Sequence, residues 1–135
     1  MKKLLILLAL LLASYISFSQ GLGESYKTVY NQLKNNSNHS NITFNSDSER
    51  KWISSETEYS WFSYGFLLDG DDYCSVVIII PRETATVHSL IEHNNKNFVI
   101  VDSKNWNAYR QDGNLVRIRL DSVDNNLVFY YYFIN

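Results

Sequence analysis

The chain has 135 residues, 15% of them aromatic, with a single cysteine and a formal charge of −2. That length suits one compact domain, and the lone thiol excludes an internal disulfide. The charges are interspersed and slightly acidic, where a nucleic-acid binder would need a basic patch; the densest positive point, "RIR" at Arg117–Arg119, is too short for a phosphate-binding track.

The first residues, "MKKLLILLALLLASYISFSQ", place Lys2 and Lys3 before a continuous apolar run, Leu4–Ala13, and then small and polar residues. This is the layout of a secretory signal peptide, and the run is shorter than the roughly 20 apolar residues of a spanning helix. Cleavage is expected after Ser19, giving a signal peptide over 1–19 and one domain over 20–135, periplasmic or secreted, with no stable membrane anchor. No cysteine follows the run to carry a lipid. Loss of Lys2 and Lys3 leaves ten basic against fourteen acidic residues and a formal charge of −4.

Next, "ESYKTVYNQL" sets Tyr26, Val29, Tyr30 and Leu33 at helical spacing, with Ser25 placed to cap the start. "NQLKNNSNHSN" reads as an exposed connection over residues 35–41 and carries three N-x-S/T patterns, at Asn35, Asn38 and Asn41. Four segments rich in β-branched and aromatic residues follow, "NITF", "KWIS", "YSWFSYGFLL" and "YCSVVIII", and these predict strands. "DGDD", Asp69–Asp72, predicts a hairpin turn between the third and fourth, and Pro81 ends the fourth.

Beyond Pro81 the order repeats. "ETATVHSLIEHNN" places Val87, Leu90 and Ile91 on one helical face, with Glu83 near the start where the helix dipole favours an anion. "FVIVD", "WNAYR", "NLVRIRL" and "LVFYYYFI" predict four more strands. Trp52 lies 15 residues before Leu67 and Trp106 lies 14 before Leu120, and each third strand runs into an Asp, Asp69 or Asp121, that would begin a turn. The fold class is therefore α+β: a duplicated α-β-β-β-β unit, with halves 24–80 and 81–135, forming an antiparallel sheet with two helices packed on one face.

In the last strand both alternating sets are apolar, whereas in "LVRIRL" Val116, Ile118 and Leu120 alternate with Arg117 and Arg119. If the arginines point away from the helices, one sheet face is open, with Phe129 and Phe133 toward the helices and Tyr130 and Tyr132 on the open side. The strand "YSWFSYGFLL" puts Tyr59, Trp61 and Leu67 opposite Phe62, Tyr64 and Phe66, and both sets are aromatic, so its faces stay unassigned.

Chemistry is sparse. His88, Glu92 and His93 do not converge, because a five-residue separation turns His93 to another side of the helix, and the zinc-protease spacing is absent. Cys74 sits in the most hydrophobic segment of the exported domain, where a thiol is filler more often than nucleophile; an intermolecular disulfide is the other use open to it. "DGDD" lacks the calcium-loop order, and no G-x-S-x-G element or phosphate loop occurs. No catalytic residue, metal site or cofactor is expected. The surplus of Tyr and Trp, residues favoured at recognition surfaces, points to an aromatic binding face of Trp61, Tyr64, Arg117, Arg119, Tyr130 and Tyr132.

The Lys-Lys leader with "SFSQ" at its expected cleavage point, and the helix-plus-four-strand order given twice, resemble small exported proteins of the Bacteroidetes. The order is also similar to that of BLIP-like and PepSY-like periplasmic domains. The resemblance implies a non-enzymatic interaction module with a protein partner, an inhibitor or an envelope-assembly accessory. The alternatives are a self-associating structural envelope protein, whose apolar last strand would adhere if it lay at a sheet edge, and a small hydrolase using Cys74 or a histidine.

Overall fold

The computed structural model describes residues 21–68 and 73–134. The expected leader, 1–19, and the Asp69–Asp72 turn lie outside the described residues. Helix α1, Tyr26–Asn35, precedes β1 (Ser40–Ser46), β2 (Arg50–Glu56), β3 (Ser60–Leu67) and β4 (Cys74–Pro81). Helix α2, Thr84–Asn97, precedes β5 (Val99–Asp102), β6 (Asn105–Tyr109), β7 (Leu115–Val123) and β8 (Asn126–Ile134). These are the two helices and eight strands that the residue patterns predict, in the same order. They make one mixed α+β fold around an antiparallel sheet.

The sheet order is β1-β2-β3-β4-β8-β7-β6-β5. Each run of four strands is a meander, and the two meanders are joined where β4 pairs with β8 through Val76↔Tyr132, Val77↔Tyr131, Ile78↔Tyr130 and Ile79↔Phe129. This position explains the composition of β8. A strand in the middle of a sheet has neighbours on both edges, and its two faces both lie in large surfaces, so neither set of side chains needs to be charged.

Side chains alternate between faces along each strand, and the registers connect them into rows that cross the sheet. One row runs Phe44–Ile53–Tyr64–Val77–Tyr131–Ile118–Trp106–Ile100, one residue from every strand. Six of its eight members, Ile53 to Trp106, are buried in a single hydrophobic cluster with Val29 and Leu33 of α1 and Val87 and Leu90 of α2. We call this the core face. Tyr26 of α1 meets the Phe66 ring edge-on at 5.0 Å, and the Trp106 indole donates to Asn95 Oδ1 on α2 at 2.8 Å.

Local chemistry sets the ends of these elements. Ser25 caps α1, its hydroxyl oxygen accepting from the Thr28 N–H at 3.2 Å. The β7–β8 hairpin turns on Asp124 and Asn125, both at positive φ (49° and 65°), the backbone of a two-residue type I′ turn. The turn thus falls three residues later than the sequence pattern suggests: Asp121 pairs with Val128 inside the ladder.

Trp52 and Trp106, which the spacing aligns, stand on opposite faces. Ile53, not Trp52, shares the core row with Trp106. Residues 21–25 are tied to the start of β4: Gly23 N–H donates to the Cys74 carbonyl and Cys74 N–H to the Glu24 carbonyl, both at 2.8 Å, while Leu22 is fully buried.

Candidate functional site

The face opposite the core row carries two further rows. One spans all eight strands as Asn45–Trp52–Gly65–Val76–Tyr132–Arg117–Asn107–Val99. The other spans seven as Thr43–Ser54–Ser63–Ile78–Tyr130–Arg119–Asn105. A third, shorter row is Glu56–Trp61–Ile80. Across the middle of this outer face, half-buried Val76, Ile78, Tyr130 and Tyr132 form an aliphatic and aromatic strip.

Arginines flank the strip, and two of them, Arg82 and Arg119, stack on rings. The Arg119 guanidinium sits 5.2 Å from the Tyr130 ring centroid and reaches Asp121 Oδ2 at 3.1 Å. On the other half Arg82 lies 4.3 Å over the Trp61 ring and bonds Glu56 Oε2 at 2.9 Å. Arg117 Nε donates to Asn107 Oδ1 at 2.8 Å. Stacking of this kind contributes about 0.5–1 kcal/mol at exposed positions.

Trp52 is held from two sides. Its indole N–H donates to Asp47 Oδ2 at 2.9 Å, and Asp47 Oδ1 accepts from the backbone of Glu49 and Arg50. Together these bonds, that from Trp52 foremost, keep the Asp47 carboxyl below the usual carboxylate range. The ring then lies over Gly65: an added Cβ there would come within 2.7 Å of both Trp52 and Val76.

Of the six residues the sequence singles out, the structure gathers five on this face. Trp61 is 43% exposed, and Arg117, Arg119, Tyr130 and Tyr132 stand on adjacent strands, with Arg117 paired to Tyr132 and Arg119 to Tyr130. Tyr64 is the exception. It belongs to the core row and is 5% exposed, stacked on Phe62 at 6.5 Å, and burial pushes its phenol far above its ordinary pKa. It is therefore removed from the outer face. Sequence reasoning missed Trp52, Val76 and Ile78. Their signal was present in the register: with the β2–β3 turn over 57–59, Trp52 falls on the same side as Trp61.

Other chemistry-bearing side chains stand apart from this surface. Cys74 is fully buried, its Sγ 3.3 Å from the Val76 carbonyl, and burial pushes its thiol up to about 12, so it stays protonated and unreactive at neutral pH. His39 Nδ1 is 2.9 Å from Ser55 Oγ, and His93 meets Phe98 edge-on; burial lowers the pKa of both. Among the described residues no group of three His, Cys, Asp or Glu side chains is arranged to hold a metal ion, and no helix is long and apolar enough to cross a membrane.

A groove of about 620 Å³ is lined by residues of α1 and α2 together with Phe62 and Tyr64 of β3 and Ile79 of β4. Comparison with protein-family models, with curated proteins and with solved structures finds no match, so the reading of this surface rests on its geometry alone.

Proposed function

We propose that the chain is an exported, non-enzymatic interaction module that binds a protein partner across the outer face of its sheet, as an inhibitor or an envelope-assembly accessory. The leader over 1–19 is removed, and the domain acts in the periplasm or outside the cell. The observation that carries this reading is the composite strip itself. Trp52, Trp61, Tyr130 and Tyr132 share one face with three flanking arginines, Arg82, Arg117 and Arg119, and Trp, Tyr and Arg are the residues that dominate binding energy at protein interfaces.

The domain is read as two copies of one unit, 24–80 and 81–135, with both helices on the core face. What supports this is the symmetry of the core row about the β4–β8 seam, where Phe44 answers Ile100, Ile53 answers Trp106, Tyr64 answers Ile118 and Val77 answers Tyr131. Such a pairing leaves a broad sheet free on its other side, the shape a flat or convex partner requires.

Affinity capture from the envelope fraction of the producing cell tests the surface. Trp61→Ala and Tyr132→Ala are each expected to reduce recovery of the partner by about tenfold or more, with the far-ultraviolet spectrum unchanged. Equal recovery by both variants contradicts the assignment.

Self-association is a second reading, and one observation favours it: β5 lies at a sheet edge, and Val99, Ile100 and Val101 are each about half exposed there. An unpaired apolar edge is a template for another strand. The last strand, by contrast, is interior and cannot serve. Sedimentation that gives the monomer mass at every concentration removes this reading; a mass rising with concentration and restored to monomer by Ile100→Lys supports it.

A further inference from the structure

We propose that the groove between α1 and α2 is a second binding site, for a small hydrophobic ammonium: an apolar body carrying one amine. This site is on the opposite side of the sheet from the interaction surface and does not depend on it.

The volume, about 620 Å³, falls in the range of sites that enclose a small molecule. The floor is apolar: Phe62, Tyr64 and Ile79 rise from β3 and β4, with Leu33 and Leu90 on the facing helices. Such a lining selects an aliphatic or aromatic body by the area it removes from water.

The charge at the mouth selects the head group. Glu58 and Glu83 both line the groove, and among the described residues no lysine or arginine does. Neither carboxylate has an ion pair among the described residues. Glu58 is carried on a turn that is firmly tied, with Thr57 N–H donating to the Ser60 carbonyl and Arg82 N–H to the Tyr59 carbonyl, both at 2.9 Å. Glu83 is the N-cap of α2. The helix terminus there contributes roughly half a positive charge, which two full carboxylates outweigh. The imidazole of His39, set edge-on to Phe62 at 5.0 Å, is neutral at pH 7 because burial lowers its pKa, so it adds no competing cation.

Isothermal titration of the exported domain with octylammonium, octanoate and 1-octanol, each below its association concentration, tests the site. Octylammonium is expected to bind saturably at one site, about tenfold more tightly than octanoate, with octanol between them. The Glu58→Gln/Glu83→Gln double variant, altered only at exposed positions, is expected to retain octanol binding and lose the preference for the amine. Ser89→Trp, an exposed helix position that lines the groove, is expected to abolish binding of all three. Equal affinity for the three, tighter binding of octanoate, undiminished binding by Ser89→Trp, or binding of none overturns the proposal. Capture of the protein partner by Ser89→Trp is expected to stay unchanged, so the two surfaces fail or stand separately.

Discussion

Gly65 shows how one residue's lack of a side chain shapes the outer face. The Trp52 ring and the Val76 methyl occupy the space a Cβ would take, so Gly65→Ala must displace Trp52 or bend the strand. Overpacking of this kind costs about 1–3 kcal/mol, and a urea titration should show the unfolding free energy falling by that amount, with a lower midpoint at unchanged slope. Tyr131 gives the opposite case. It is buried, and among the described residues its hydroxyl has no well-formed hydrogen bond, although Asn94 lies close by. Tyr131→Phe removes a poorly satisfied polar group and should change stability by no more than about 1 kcal/mol, whereas Phe129→Ala on the same strand should cost about 3–5 kcal/mol. Burial lowers the pKa of His39 and His93 in the folded chain, so the unfolded chain binds their protons first. Stability from these two groups is complete above the ordinary histidine value of 6.5 and is lost as pH falls below it toward their folded values. His39→Gln should flatten that acid slope in urea midpoints measured across the range; an unchanged slope would show that His39 titrates alike in both states.

At the scale of elements, the strand and helix positions were legible because periodicity changes cleanly along the chain. Val29 and Leu33 sit four apart in α1 and are both buried, and the alternation of Val116 and Ile118 with Arg117 and Arg119 in β7 fixed its inward side correctly. The faces of β3 were not legible, since Phe62, Tyr64 and Phe66 oppose Tyr59, Trp61 and Leu67 and hydrophobicity alone cannot choose between them. Only pairing with β2 and β4 decides it, and that is why Tyr64 was misplaced on the binding face. The position of β5 was hidden for a related reason: "FVIVD" has the composition of an interior strand, yet it is short and lies at the edge. Residues 21–25 carried no strand signal, but they close the end of the core. Arg110 Nη1 donates to the Leu22 carbonyl at 2.8 Å, and the buried Leu22 side chain packs in the cluster. Leu22→Ala should therefore cost about 2–5 kcal/mol, and a start moved from residue 20 to residue 26 should destabilise the domain at least as much; equal urea midpoints would mean the segment only rests on the surface.

Over the whole molecule, the design is a wide sheet with a dry side and a wet side, and the seam between β4 and β8 joins the two meanders. Val29 and Leu33 of α1 and Val87 and Leu90 of α2 share one buried cluster with the core row. The outer face carries Trp52, Trp61, Tyr130, Tyr132, Arg82, Arg117 and Arg119, and that surplus of tryptophan, tyrosine and arginine is the ground for the proposal that it binds a partner. The most direct measurement is photo-crosslinking in the producing cell, with a benzophenone amino acid placed at Tyr132 on the outer face or at Glu92, an exposed position on α2. The account predicts one dominant protein adduct from position 132 and none of that mass from position 92. Equal labelling from both positions, or an adduct from position 92 alone, would contradict it.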